Sequence, residues 1–308
     1  MLATLTDDYF DDPDWIYERK LDGERCIIVL NKGECGIYSR NEKKLNNTYP
    51  ELENALKDDS YSDMILDAEI VTFDGNVSSF SKLQNRLQIK NRDIALDSEV
   101  KVYLYIFDII YYDSFELNQL SLKHRKKILK KVMNWEDPIR FVSHRNETGK
   151  SYHEEACRKG WEGIIAKDGK SNYVHSRSKK WLKFKCSKGQ ELVIGGFSEP
   201  EGERVGFGAM LVGYYEGDSL VYAGKVGTGF NDEFLAKWRK KFDNIESDTS
   251  PFEDFNDDNN GDYHWLKPKY VGEFGFTEWT DDNKLRHPRF LGMRDDKEPE
   301  EVVKEEPK

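Results

Sequence analysis

Long apolar runs are missing from this chain of 308 residues. Its most apolar stretch, VYLYIFDIIYY from Val102 to Tyr112, is broken by Asp108 and falls well short of the roughly 20 residues that cross a bilayer. The first fifteen residues, MLATLTDDYFDDPDW, have neither the basic n-region nor the apolar h-region of a secretory signal. No membrane span is expected, and the expected location is the cytoplasm. Cysteine is scarce as well. Cys26, Cys35, Cys157 and Cys186 form no C-x-x-C pair, and the six histidines do not stand at zinc-ligand spacing around them. Reduced, packed thiols are the expectation.

What is present suffices for ordinary cores, with 37% hydrophobic and 13% aromatic residues over a length that suits one large or two ordinary domains. The net charge of −11 at first argues against a nucleic-acid partner, because phosphate binding is driven by Lys and Arg. Its distribution matters more. Asp243 to Asp262 has no Lys or Arg and the end of the chain is Glu-rich, whereas HRKKILKK at 124 to 131 and SRSKKWLKFK at 176 to 185 are basic. The acidic total can coexist with a basic face.

From Trp15 to about Lys188 short β-branched strands alternate with helical stretches. CIIVL, NKG and CGIYS read as a hairpin with Gly33 in its turn, and YPELENAL as a helix. MILDAEIVTF and VYLYIFDIIYY read as strands, the second central. LKHRKKILKKVMNW reads as a helix with Leu122, Ile128, Leu129 and Val132 on its inner side. Beyond Gly189 the texture changes to glycine-punctuated strands, LVIGGF, GAMLVGYY, SLVYAGKVG and VGEFGFTEW, with a helix near Asp232 to Phe242. That pattern suits a small Greek-key barrel of the OB type. The expected organisation is therefore residues 1–188, residues 189–298 and a disordered tail at 299–308, with 253 to 262 as an acidic loop.

Glu18-Arg19-Lys20-Leu21-Asp22-Gly23-Glu24-Arg25 carries the candidate nucleophile. A lysine becomes nucleophilic when nearby cations or burial lower its pKa, and Arg19, Arg25, Lys183 and Lys185 are available to do so. A glycine after the acidic residue lets the backbone turn toward a bound nucleotide. Alone, K-x-D-G is a weak pattern that also describes a surface turn. Asp67 and Glu69 alternate along a strand and share a face, as do Lys183 and Lys185. Glu162 leads into apolar GIIA and needs a partner if buried. Phe107, in so apolar a strand, suits a core role as well as a site.

This stretch resembles the nucleotide-attaching motif of the covalent nucleotidyltransferases, which include ATP-dependent DNA ligases, RNA ligases and mRNA capping enzymes. Further motifs follow in the same order: SRN at 39 to 41, LDAEI at 66 to 70, YIFDIIY at 105 to 111, EGIIAK at 162 to 167, WLKFK at 181 to 185, and RHPRFLGMRDDK ending at Lys297. MLATL, DTSPF and LRHPRFLGMRDDK resemble in particular the ligase module of bacterial end-joining DNA ligases. The resemblance implies an α+β fold: an adenylation domain of antiparallel sheets with flanking helices, then a small OB-fold β-barrel.

It also implies roles. Lys20 would attack the α-phosphorus of ATP and carry AMP. Glu18 would read the adenine edge, Phe107 would stack on its face, and Glu69 would contact the ribose and a metal. Glu162 would hold Mg²⁺, with Mn²⁺ as a substitute. Lys183 and Lys185 would stabilise phosphate oxygens. Arg25 and Arg40 would hold the ribose or the 5′-phosphate at a nick, and Arg177 matches a position that is basic in ligases. Arg294 and Lys297 would orient pyrophosphate. The implied substrate is nicked duplex DNA, sealed by a monomer, with end-joining or repair proteins as partners. A guanylyltransferase using GTP and an RNA ligase are the alternatives within the superfamily, and a non-catalytic OB module is the alternative outside it. The long C-terminal segment with its RDDK ending favours the DNA reading.

Overall fold

The computed structural model describes residues 1–58, 61–186, 189–200, 202–256 and 261–305. The chain separates into two compact units, Met1–Cys186 and Ser187–Glu305. The expected boundary residue, Lys188, lies outside the described residues.

The first unit holds two large sheets and a two-stranded ribbon, Phe73–Asp74 with Val77–Ser78. One has the strand order Leu2–Leu5, Arg177–Lys185, Gly163–Asp168, Trp15–Lys20, His144–Asn146, antiparallel except where Leu2–Leu5 runs parallel to its neighbour. The other has the order Ile139–Phe141, Tyr103–Tyr112, Met64–Val71, Glu24–Asn31, Glu34–Ser39, with Phe115–Glu116 added beside Tyr103–Tyr112. The expected hairpin is present, turning at Lys32 and Gly33 with both φ angles positive. The Pro50–Leu56 helix starts on its proline, whose missing N–H costs nothing in the first turn. One core lies between this second sheet and its helices, from Ile28, Leu66 and Ile106 to Leu52, Leu83 and Leu129.

The helix Leu122–Val132 departs from expectation on its inner face. Leu122 and Leu129 are buried, but so are Arg125 and Lys126. Arg125 is fully buried and grips Asp108 with two bonds of 2.8 Å, so the charge that interrupts the apolar strand is neutralised by the helix packed on it. The run at 124 to 131 is therefore not a uniformly basic surface.

The second unit contains the expected strands within Gly189–Ser198, Met210–Glu216 and Ser219–Val226, and the helix Asp232–Asp243 capped by Asn231. Its long strand Tyr263–Gly275 begins well before VGEFGF and runs through Pro268. Pairing with Gly189–Ser198 jumps from Ile194–Tyr270 to Gly196–Trp265, so Pro268 falls in a bulge where its missing N–H breaks no ladder bond. The expected closed barrel is not formed by the described strands. Their path is open, Ser219–Val226, Met210–Glu216, Gly189–Ser198, Tyr263–Gly275, Glu246–Ser247, with Arg289–Met293 added on Tyr263–Gly275. Leu285–Arg286 pairs with Glu278–Trp279 instead of closing the ring, and the Lys284 ammonium donates to the Tyr222 carbonyl at 2.6 Å. Residues 299–305 are not a disordered tail. Pro299–Glu301 forms a helical turn, Val302 is buried in the second core, and its carbonyl accepts from Tyr215 N at 2.7 Å. Residues 306–308, and 257–260 of the acidic loop, lie outside the described residues.

Candidate active site

Strand register builds the site. In the first sheet Gly163 stands between Lys20 and Lys185, Ile165 between Glu18 and Lys183, and Lys167 between Ile16 and Trp181. Directly opposed residues share a face and faces alternate with period two. One face therefore carries Lys20, Glu18, Lys185, Lys183, Lys167 and Trp181. The other carries Tyr17, Ile164, Ala166 and Phe184, all buried in a core of their own. The same alternation removes Arg19 from its expected place beside Lys20. Its guanidinium lies over the Trp161 ring at 4.1 Å and donates to the Asn76 carbonyl.

Two glycines let this face assemble. A Cβ on Gly23 would come within 2.2 Å of the Ile70 carbonyl oxygen, so the turn after Lys20 presses against the Met64–Val71 strand. Gly163 has φ +145°, and a Cβ there would lie 2.0 Å from the Phe184 carbonyl oxygen. Asp22 fixes the same turn, accepting from Phe80 N and donating its own N–H to Ser78 Oγ.

Lys20 Nζ is 2.6 Å from Glu162 Oε1, and each side chain is about one-fifth exposed (19% and 20%). Glu162 Oε2 is buried and has no hydrogen-bond partner among the described residues. His144 Nδ1 and Trp181 Nε1 share that condition. His144 is paired in register with Glu18, so all three lie on or beside the Lys20 face. Buried polar atoms are nearly always satisfied, and a cluster of unsatisfied ones at a carboxylate and a lysine marks a place for a ligand or ion.

Glu18 is buried and held by two lysines, Lys126 and, at 2.6 Å, Lys167. Burial pushes its carboxyl upward, but the two ammonium groups outweigh burial and hold it below the ordinary range. Phe107 reaches the site through a bulge. Asp67 pairs with Asp108 and Ala68 with Ile106, so Phe107 is the extra residue, turned toward Ile16, Leu122, Tyr173 and Trp181. The Lys167 ammonium stands 4.4 Å from its ring centre. Arg25 makes two bonds to buried Asp67, at 2.9 and 2.6 Å, and Tyr173 donates to the same carboxylate at 2.7 Å. Glu69 is paired in register with Arg25 and Tyr105, half-buried. Arg40 follows Ser39, which pairs with Cys26, at the end of the sheet where Arg25 lies.

The two units match two family models in turn, the ATP dependent DNA ligase domain over residues 1–185 and the ATP dependent DNA ligase C terminal region over residues 203–297. The chain belongs to the ATP-dependent DNA ligases. It is 33% identical over 302 residues to the Multifunctional non-homologous end joining protein LigD of Pseudomonas aeruginosa, covering 96% of this chain and 35% of that protein. It is 31% identical to DNA ligase 2 of Korarchaeum cryptofilum, covering 94% of this chain and 54% of that one. The ligase chain thus spans about a third to a half of these relatives. Among solved structures, a mycobacterial DNA ligase D complexed with ATP and MES aligns at TM-score 0.67 and 30% identity, covering 99% of this chain and 98% of the other.

Within this ligase, Lys20, Glu18, Glu162, Lys183 and Lys185 share one sheet face or its edge, while Arg25, Glu69, Phe107 and Arg40 come from the second sheet. Arg177 instead donates to the Ala3 carbonyl at 2.7 Å, tying down the first strand. Arg294 and Lys297 belong to the other unit. There Arg294 makes two 2.8 Å bonds to Asp296 and one of 2.9 Å to Glu273, and Lys297 stands 3.3 Å from Glu191. Four residues beside Lys20 or Glu18 were given no role from the sequence, Lys126, Lys167, His144 and Trp181, and Asp22 was named only as the acidic member of K-x-D-G. Lys167 and Trp181 were findable, since each keeps the two-residue period of a site strand, whereas Lys126 and His144 come from elements with no such signal.

Proposed function

We infer that this ligase seals 5′-phosphate/3′-hydroxyl nicks in duplex DNA through a lysyl-AMP and then a DNA-adenylate. The observation that supports it most is the Lys20–Glu162 pair on a face shared with Lys183 and Lys185, next to a buried carboxylate oxygen with no partner among the described residues. Lys20 attacks the α-phosphorus of ATP, forming the N–P bond as pyrophosphate leaves. Lys183 and Lys185 face the same point and stabilise the phosphate oxygens as charge builds there. AMP then passes to the 5′-phosphate, with Arg40 as its anchor, and the 3′-hydroxyl displaces AMP. Positioning and charge neutralisation do most of this catalysis.

Glu162, with Glu69 as a second carboxylate, fits Mg²⁺ or Mn²⁺, because Glu162 offers an unshared hard oxygen. A bound ion would neutralise phosphate charge and weaken the hold of Glu162 on Lys20. Glu18 and Phe107 take the base. Since Glu18 is already gripped by two lysines, its part is to position Lys167 over the Phe107 ring as well as to face adenine. Arg294 reaches pyrophosphate only by exchanging Asp296 for phosphate oxygens, so the role proposed for the second unit, residues 189–298, includes opening that ion pair. The enzyme acts as a cytoplasmic monomer, with end-joining or repair proteins as partners.

The test is incubation with Mg²⁺ and α-labelled ATP or GTP, comparing the wild-type chain with Lys20→Ala on a denaturing gel. An AMP adduct absent from the variant is expected, followed by sealing of nicked DNA. Label from GTP alone would move the assignment to capping, and no adduct from either nucleotide would end the covalent reading.

A further inference from the structure

Two cysteines expected as free thiols are bonded: Cys157 and Cys186, 29 residues apart, form a disulfide. Cys157 lies on the Gly149–Arg158 helix and Cys186 directly follows Lys185. The bond therefore ties a helix to the end of the strand that carries both phosphate-facing lysines. Cys186 N also donates to the Glu162 carbonyl at 3.0 Å, so the same residue holds the backbone that carries the Lys20 partner. His153, one helical turn before Cys157, places Nε2 3.4 Å from Cys157 Sγ and 3.2 Å from the Lys185 carbonyl oxygen.

We propose that Cys157, Cys186 and His153 form a thiol–disulfide exchange site that sets how firmly Lys185 and Glu162 are held beside Lys20. Both cysteines are half-buried and within reach of a small thiol. The other two are not. Cys26 and Cys35 are buried and unbonded, and burial pushes the Cys35 thiol up to about 12 and the Cys26 thiol well above its ordinary value, which leaves them unreactive. His153 Nε2 is the polar group that faces Cys157 Sγ, and it also faces the Lys185 carbonyl. In a reducing compartment a disulfide of this kind is redox-responsive rather than a permanent staple.

The co-reactant is a small disulfide of the glutathione class. The Cys157 thiolate attacks it, breaking its S–S bond, forming a mixed disulfide and releasing one thiolate. The Cys186 thiolate then attacks Cys157 sulfur and expels the second. Two protein thiols are oxidised and one disulfide is reduced to two thiols, and reduction runs the same steps backward.

The consequence for Lys20 rests on the function proposed above, but the exchange site does not, and the test separates them. The full chain is exposed to oxidised glutathione or to dithiothreitol, denatured, alkylated and weighed. Two alkylated cysteines after oxidation and four after reduction are expected, with a linked peptide joining Cys157 and Cys186. The same count after both treatments would overturn the site. One Zn²⁺ retained by the reduced chain and lost in His153→Ala would also overturn it, in favour of a metal site, since the three ligand atoms lie within 4.8 Å of one another. Lys20 labelling from α-labelled ATP should be about tenfold faster in the oxidised form, the scale expected when reacting groups lose their positioning. The Cys157→Ser/Cys186→Ser chain should label at the reduced rate after either treatment. Equal rates for the oxidised and reduced wild type would overturn the control of Lys185 and Glu162. No labelling in any form would sink the ligase reading and this consequence with it, while the mass measurement still decides the exchange site.

Discussion

Lys183 and Lys185 stand two residues apart on one strand, separated from the strand that ends in Lys20 by the Gly163–Asp168 strand between them. They differ in what lies between. Lys185 faces Lys20 across a glycine, whereas Lys183 faces Glu18 across the Ile165 side chain. Lys185→Ala should therefore slow adduct formation about 10²-fold, the scale of a lost oxyanion donor, and Lys183→Ala less, both read by single-turnover labelling. Acid should destabilise the same residues. Glu18 keeps its carboxylate below the ordinary value of 4.5, so its contribution is present above that value and lost as pH falls through the lower folded one. Burial, then the Lys126 charge, lowers the His144 imidazole below 6.5. The unfolded chain takes up that proton first, so stability drops as pH falls below about 6.5. Urea midpoints should decline in two stages, the first as pH falls below about 6.5 and the second as it falls below about 4.5. His144→Gln should flatten the first stage, and an unchanged profile in that variant would remove His144 from the account.

At the scale of elements, the Leu122–Val132 helix is the clearest case of pattern and packing disagreeing. Its leucines were legible, but Arg125 and Lys126 point inward because Asp108 and Glu18 await them there. No local spacing announces such a pair, since its members are 17 and 108 residues apart. Arg125→Met should cost about 3–5 kcal/mol in chemical denaturation, because it leaves Asp108 buried and unpaired. The Arg125→Met/Asp108→Leu chain should recover much of that loss. The site strands were legible for the opposite reason: two-residue alternation is local, and it placed Asp67 with Glu69 and Lys183 with Lys185. Phe107 owes its direction to a bulge, and the Tyr263–Gly275 strand hides behind Lys-Pro-Lys, which reads as a break unless the bulge around Pro268 is known. The Cys157–Cys186 bond was invisible because strand end and helix meet only in the fold. Closing a loop of that length should contribute about 3–4 kcal/mol by chain entropy, so reduction should lower the melting temperature of the first unit by about 10 °C.

For the molecule as a whole, the question is how a chain of net charge −11 holds a polyanion. The sequence shows two basic runs, but the fold ties part of their charge to acidic partners. Arg125 and Lys126 are buried in ion pairs, Lys180 is 2.9 Å from Asp168, and Lys167, just outside the runs, is buried against Glu18. Arg25 and Arg294 are likewise engaged by Asp67 and Asp296. These ion pairs reduce the charge that can displace counterions from a duplex, and nick binding should show a log–log salt slope of only about −3 with weak affinity at physiological salt. Fluorescence anisotropy of a nicked duplex across a potassium chloride series measures both quantities. A shallow slope would mean that a partner or the covalent adenylate supplies the missing affinity. A slope near about −8 with nanomolar binding would instead require the internal ion pairs to open on DNA, making the arginines held by Asp67 and Asp296 part of the DNA-binding surface.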